Sequence, residues 1–344
     1  MVTAIIGAQY GSEGKGVITA HIANDYNTHV RVGAPNAGHT MMWGGEKWKM
    51  QTIPCGWVNP AARLVIGAGA LIDIDLMVNE IIAIEEKGYS IRDRLYVDNR
   101  AGIILEQHAD WEGGVEGEPH KRIGSTGKGV GAARIAKISR SVLLEIPWET
   151  AAERLDLLDW CTVCDTTEIL QDDRKQILLE GAQGVGLSLT HGEWPYCTSA
   201  DTGVAQLLSD TGIPPASLGD TIFVVRSFPI RVAGNSGPLK YEMTWADLDQ
   251  EPEYTTVTNK QRRIGGFDSD QVQRAIKLNS NGRGDRCMAL TFLDYVFGVD
   301  RGKAKWEDLS VPAQNYITMM EEQLDTRIDY IGTGGPNLAV IEKW

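Results

Sequence analysis

Positive charge is scarce in this chain. Its 344 residues carry 33 Lys and Arg against 46 Asp and Glu, a formal net charge of −13. A protein that coats nucleic acid replaces the counterions around the phosphates with its own cations, so this balance argues against DNA or RNA as a partner. It leaves room for a small anion gripped by a local cluster of Arg and Lys. Cysteine is sparse too: five residues, an odd count without regular spacing, which is not a disulfide framework. Cys161 and Cys164 form one CxxC, but the second half of a zinc site is missing. They read as two small apolar residues on a helix. No apolar run approaches the ~20 residues of a membrane span, and the N-terminus reads straight into a strand rather than a signal segment. The expected setting is a reducing cytoplasm, with no membrane and no nucleic acid as partner.

Glycine, by contrast, is plentiful at 38 residues. It gathers in loops that follow short apolar runs, as in α/β enzymes whose loops close over ligands. Residues 2–7, 28–32, 63–66, 95–98, 176–179, 221–226, 287–292 and 327–331 read as strands. Helical periodicity marks 17–24, 76–87 and 311–324, and the glycine-rich stretch 113–131 reads as a long functional loop. Strands and helices alternate without an internal repeat. The expected fold is therefore α/β: one large domain over residues 1–344, with a central, mostly parallel sheet flanked by helices and long ligand-binding loops.

Six segments carry chemistry. Gly7-Ala8-Gln9-Tyr10-Gly11-Ser12-Glu13-Gly14-Lys15-Gly16 closes the first strand; its glycines let backbone N–H groups approach a phosphate and Lys15 adds a point charge, or else it is a structural turn. Its spacing is not that of a Walker A loop. Gly33-Ala34-Pro35-Asn36-Ala37-Gly38-His39-Thr40 places a His between small residues at a strand's carboxyl end, where ligands of open α/β sheets bind. Ile123-Gly124-Ser125-Thr126-Gly127-Lys128-Gly129-Val130-Gly131, with Lys137 and Arg140 beyond, suits a monophosphate or a plain flexible loop equally. In Glu180-Gly181-Ala182-Gln183-Gly184, with Thr198 and Ser199 downstream, the Gln amide can donate to and accept from a base edge. Thr255-Thr256-Val257-Thr258-Asn259-Lys260-Gln261-Arg262-Arg263 joins hydroxyls to guanidiniums, a match for carboxylates, or else a solvated basic turn. Asp294, at the end of Thr291-Phe292-Leu293-Asp294, either reads a guanine edge or caps a helix.

In this combination and order, from residue 2 to about residue 340, the chain resembles the adenylosuccinate synthetase family, whose fold is P-loop-NTPase-like. The resemblance implies a ligase that joins L-aspartate to a purine nucleotide through a 6-phosphoryl intermediate. It implies that His39 is the general acid, with Ser12, Lys15 and Gln183 completing the catalytic set. Asn36, Ser125, Thr126, Gln183, Thr198, Arg231 and Ser12 would hold the purine monophosphate, joined by Arg140 from the neighbouring subunit of a homodimer. Thr256, Thr258 and Arg262 would hold aspartate. Gly14, Lys15, Gly16, Gly38, His39, Thr40, Asp294, Thr333, Gly334, Gly335 and Pro336 would hold the triphosphate, and Ser12 and Gly38 its Mg²⁺.

The chain departs from the family pattern at three places. The family's GDEGKG is here GSEGKG, so Ser12 stands where the family has the Asp that takes the purine N1 proton. Serine is far too weak an acid to act as that base, but its small neutral side chain leaves room beside purine C2. The pattern is similar to a phage branch that condenses dGMP with aspartate on the way to diaminopurine DNA, and that is the leading expectation. The family's TKLD is here Thr291-Phe292-Leu293-Asp294, which points to ATP or dATP rather than GTP as donor. The aspartate loop has Lys260 and Gln261 at two usual Arg positions. The alternatives are an ordinary enzyme using IMP and GTP, and a nucleotide-binding module without turnover.

Overall fold

Residues 2–7 are buried at every position, as in a strand covered on both faces, and this strand, β1 (Val2–Gly7), lies inside a ten-stranded sheet. The structure is a computed structural model that describes residues 1–113, 123–140, 146–172, 175–254, 261–280 and 286–343. The other strands of the sheet are β2 (Thr28–Arg31), β3 (Arg63–Ile66), β4 (Leu95–Asp98), β5 (Thr162–Cys164), β6 (Ile177–Gly184), β7 (Leu218–Arg226), β8 (Arg286–Thr291), β9 (Arg327–Gly334) and β10 (Ala339–Glu342). Their order across the sheet is β10-β9-β8-β7-β1-β6-β2-β3-β4-β5. β10 runs antiparallel to β9, and the other pairings are parallel. The expected single α/β domain with a mostly parallel sheet is what the structure shows.

Alternation along β1 explains the layering. Val2, Ala4 and Ile6 pack with Leu207 and Leu208 of helix Val204–Thr211, Val272 and Ile276 of helix Ser269–Asn279, and Ile317 and Met320 of helix Val311–Leu324. Ile5 points to the opposite face, against Ile18 of helix Lys15–His21. A further core, under the β3–β4 half of the sheet, takes Met77, Ile81 and Ile84 from helix Ile74–Glu85. Asp73 caps that helix by accepting a bond from the Leu76 N–H at 3.1 Å. No helix among the described residues is long and apolar enough to cross a membrane.

Several local expectations are corrected. Helix 17–24 starts earlier, at Lys15, and ends at His21. The strand expected to stop at Leu179 continues through Glu180 to Gly184, because β1 keeps pairing with it as far as Gly7 opposite Gly184. Cys164 lies on β5 and Cys161 just before it, not on a helix, and all five cysteines are free. The stretch 113–131 is loop over 123–129 and helical from Val130, while 114–122 lie outside the described residues. A hairpin, His39–Trp43 with Glu46–Met50, and a small sheet of Ile230–Arg231, Arg263–Gly265 and Glu242–Met243 were not foreseen.

Candidate active site

The loops that leave β1, β2, β6, β7, β8 and β9 all do so at the strands' carboxyl ends, on one edge of the sheet. Backbone strain collects there. Ser12, Gln183 and Phe292 take left-handed φ values of 59°, 65° and 58°, although none is glycine. Such conformations cost of order 1–3 kcal/mol each and persist where a site demands them. Two cavities open on this edge, one of 520 Å³ around the first loop and one of 420 Å³ beside it.

The larger cavity is lined by Ser12, Gly14, Lys15, Gly16, Gly38, His39, Thr40, Arg262, Asp294, Gly334, Gly335 and Pro336, so it gathers most of the residues expected to hold the triphosphate. Glu13 shapes the first loop. Its carboxylate accepts bonds from the Gln9 and Gly11 N–H groups at 3.2 and 2.7 Å and pairs with Lys15 Nζ at 2.7 Å, all buried. A Cβ on Gly7 would sit 2.3 Å from that carboxylate, so position 7 must be glycine. Gly16 is needed for the same reason: a Cβ there would lie 2.8 Å from the Thr40 carbonyl, and the helix could not approach His39.

Ser12 hangs over this cavity. Its Oγ accepts a bond from Arg262 Nη1 at 2.6 Å. Arg262 also lies 3.9 Å from Glu253, which pairs with Arg226 at 2.7 Å. The buried Arg226 guanidinium stacks 3.6 Å from the Phe292 ring centroid and 4.6 Å from that of Phe228. Burial pushes the Glu253 carboxyl up, but the two arginines outweigh it and hold it below its usual range. At the far end Asp294 is buried, its Oδ1 has no partner, and burial raises its carboxyl.

His39 is the first residue of the hairpin and almost fully buried. Its Nδ1–H donates to Glu180 Oε1 at 2.5 Å. The same carboxylate accepts from Arg31 Nη1 at 3.2 Å and from the Cys55 N–H at 2.7 Å. The carboxylate sets the tautomer, so Nε2 is the nitrogen left for the cavity that His39 lines. Burial, then Arg31, push His39 down to about 4 against the pull of Glu180. Burial pushes Glu180 up, but Arg31, His39 and the Cys55 N–H hold it down to about 2. The pair is thus a neutral imidazole oriented by a carboxylate, with the Nε2 lone pair able to take a proton and to return it from the imidazolium form.

The smaller cavity holds Asn36, Ser125, Thr126, Gln183, Thr198 and Arg231 together, the residues expected to bind the purine monophosphate. Arg231 forms part of its wall. It is buried, pairs with Glu193 at 2.5 Å, donates to the Ser236 carbonyl and stacks 3.8 Å from the Tyr10 ring centroid. Ser12 lines the larger cavity and not this one. Thr333 is buried with its hydroxyl donating to the Lys303 carbonyl at 2.6 Å, and it lines neither cavity. Arg140 is exposed at the end of helix Val130–Ser139 and lines neither cavity. Thr256 and Thr258 lie outside the described residues. Sequence reasoning passed over Glu180, Arg31, Glu253, Arg226 and Tyr10. Of these, Glu180 and Tyr10 stood in segments already marked as functional.

Against known proteins, a model described as "Adenylosuccinate synthetase" matches residues 4–146 and 146–304. The adenylosuccinate synthetase of Methanococcus aeolicus is 33% identical over 337 residues, 96% of each chain. That of Pyrococcus horikoshii is 33% identical over 98% of this chain and 97% of its own. Among solved structures, the succinoaminodeoxyadenylate synthetase of cyanophage S-2L, bound to dGMP and to dATP as an energy donor, superposes with a TM-score of 0.80 at 31% identity. It covers 99% of this chain and 95% of its own. The fully ligated adenylosuccinate synthetase of Plasmodium falciparum gives 0.84 at 25% identity, with full coverage of both chains. These matches, over nearly the whole chain, place it in the adenylosuccinate synthetase family, C–N ligases that condense aspartate with a purine nucleotide.

Proposed function

We propose that this ligase joins L-aspartate to C6 of dGMP with ATP or dATP as phosphoryl donor, giving N6-succino-2-amino-2′-deoxyadenylate, phosphate and the nucleoside diphosphate. The observation that carries the reading is Ser12. In the larger cavity, the first loop offers a small neutral hydroxyl with one lone pair taken by Arg262 and one still free, two residues from Tyr10 in the wall of the smaller one. A guanine 2-amino group can donate to that lone pair. The relative bound to dGMP and dATP, similar over nearly the whole chain, supports it.

The chemistry follows from the residues. The purine O6 is a poor leaving group until the γ-phosphoryl group is transferred to it; the aspartate amine then displaces phosphate at C6. Loose phosphoryl-transfer transition states call for positioned donors and cations. Here Lys15, the glycine-rich backbone and Arg262 supply them, and His39 donates to the developing charge from Nε2 in its imidazolium form, which Glu180 favours. Glu13 is closed to the role of N1 base by its buried bonds, which leaves water or the phosphoryl oxygens as acceptor.

Enzymes of this family use Mg²⁺. In this chain the Ser12 hydroxyl lies against a guanidinium, whose positive charge disfavours a cation beside it, so of the two expected ligands the Gly38 carbonyl remains. That set fits a magnesium ion carried mainly by the triphosphate's own oxygens, whose charge it would neutralise. The assembly is proposed as a homodimer, with exposed Arg140 reaching the other subunit's monophosphate.

A second reading, IMP with GTP, is favoured by the archaeal relatives and by Asp294, whose unpartnered buried oxygen suits a guanine edge. The test offers dGMP or IMP with Mg²⁺, aspartate and each triphosphate, and follows phosphate release and product mass. Succinylated product from dGMP and little from IMP is the expected result; product from IMP alone refutes the proposal.

A further inference from the structure

A glycine-rich loop that leads into a helix ordinarily offers its N–H groups to a phosphate. The loop 123–129 leads into helix Val130–Ser139, but three of those N–H groups are already taken. Glu112, on helix Glu106–Gly113, is 3% exposed and lines the smaller cavity. Its Oε2 accepts from the Gly129 N–H at 2.9 Å, and its Oε1 from the Gly131 and Ala132 N–H groups at 2.6 and 3.1 Å. A carboxylate of the chain itself thus occupies the positive end of the helix.

The same contacts fix the loop. Gly129 is left-handed at φ 75°, and a Cβ there would stand 2.8 Å from the Ala109 nitrogen, so the loop is pressed against the helix that carries Glu112. That helix is held in turn by His108, whose Nδ1 accepts from the Leu105 N–H at 3.1 Å and whose Nε2–H donates to the Pro147 carbonyl at 2.7 Å. Lys128 is committed elsewhere: it donates to Gln51 Oε1 at 3.0 Å and to the Pro35 carbonyl at 3.5 Å, and it does not line the smaller cavity. The loop therefore shows that cavity its hydroxyls, Ser125 and Thr126, opposite Asn36. Ser125 Oγ accepts from the Gly127 N–H at 3.2 Å, which leaves its proton for an incoming oxygen.

We infer that Glu112 is a positioning residue for the substrate's phosphate: it takes the helix N-terminus out of use and holds the loop so that Ser125 and Thr126 present their hydroxyls instead. The inference rests on the reading that the smaller cavity holds a nucleoside monophosphate. Glu112→Gln keeps the shape but turns one accepting oxygen into an NH₂ group that faces an N–H. The loop is then released, and affinity falls for the phosphate and not for the rest of the nucleotide. A carboxylate that merely competed with the phosphate would give the opposite sign, since removing its charge would tighten anion binding.

The test compares KM for dGMP and IMP with the inhibition constants of deoxyguanosine and inosine, which lack the phosphate, in the wild type, Glu112→Gln, Ser125→Ala and the double variant. In Glu112→Gln the nucleotide KM should rise about ten-fold or more, while the nucleoside constants and the KM values for aspartate and triphosphate stay within about two-fold. The double variant should be little worse than the poorer single one, since both changes act on one loop. Glu112→Asp, which keeps the charge but withdraws it from the N–H groups, is read by the same split and covers the case in which Glu112→Gln does not fold. Nucleotide and nucleoside constants that rise together would mark a cap that only holds the fold, and overturn the inference; so would a nucleotide KM that is unchanged or lower. Equal wild-type affinity for nucleotide and nucleoside would sink the monophosphate reading of the cavity and this inference with it. Each comparison is made within one base, so product from IMP alone would refute the dGMP reading while the split still decides this one.

Discussion

Glu180→Gln is the sharpest test of how His39 works. The carboxylate accepts from His39 and Arg31 on one oxygen and from the Cys55 N–H on the other. Glutamine keeps the shape but turns one oxygen into a donor. Either the Cys55 N–H or the His39 Nδ1–H then loses its acceptor, at a cost of about 1–3 kcal/mol for a buried group. Arg31, almost fully buried, also loses its counter-charge, and breaking a buried pair from one side costs about 3–5 kcal/mol. The upward pull on His39 disappears as well, while burial, Arg31 and Lys15 still push it down. Charging the imidazole becomes harder by about 1.4 kcal/mol for each unit of pKa lost. Loss of the orienting carboxylate should lower kcat by about 10²–10⁴ with KM much less affected. Phosphate release gives kcat, and thermal unfolding monitored by circular dichroism separates the stability loss. His39→Asn should cost as much, and the double variant little more, since the two residues act as a unit. A folded Glu180→Gln protein with kcat within about three-fold of wild type would refute the dyad.

Two further outcomes are expected. If Arg140 serves the other subunit, Arg140→Ala and His39→Asn proteins are each nearly inactive, yet mixing them in equal amounts restores about a quarter of wild-type turnover, since half the dimers then hold one complete site of two; no recovery after subunit exchange would refute a shared site. His29 is fully buried with Nδ1 unpartnered, and burial pushes it down to about 4 from an ordinary 6.5. The unfolded chain therefore binds the extra proton between those values, stability falls as pH drops through that window by up to ~3 kcal/mol, and His29→Gln should flatten the slope in urea unfolding at pH 4.5 against pH 7.

What could be read from the sequence was what local pattern carries. Strands 63–66 and 95–98 and helix 311–324 have the bounds expected of them, because continuous apolar runs, and a Ser310 cap before a proline-started helix, are signals within a few residues. The loops that line the two cavities announced themselves as clusters of Gly, Lys and hydroxyls. The hairpin at 39–50 was hidden because its second strand exposes Lys47 and Lys49, although Gly44-Gly45, both at positive φ, was a turn signal. Glu180 looked like loop because glycines surround it, yet β1 supplies the pairing that keeps it a strand. Its partners His39 and Arg31 are 141 and 149 residues away, and Glu193 lies 183 from Tyr10. Bonds over such separations leave no local trace, so the residues that orient the chemistry were the ones missed.

Serine at position 12 also changes the charge at the point where the substrates meet. Lys15 is neutralised by Glu13 at 2.7 Å and Arg226 by Glu253 at 2.7 Å. Among the described residues Arg262 has a hydroxyl at 2.6 Å, the Tyr254 carbonyl at 3.5 Å and a shared carboxylate at 3.9 Å. A carboxylate at position 12 would satisfy Arg262 directly, an attraction of about 4 kcal/mol for unit charges 4 Å apart near a protein surface. With serine there, that attraction stays available to an incoming anion. Lys47 and Lys128 add to the same field, and together with burial they depress the Lys49 ammonium. A chain of net charge −13 keeps this concentration of cations because aspartate and a phosphoryl group, both anionic, have to be brought to one carbon atom. On the proposed reading, the loss of a base at Ser12 is coupled to a gain in anion binding, with Arg262 as the residue that links the two.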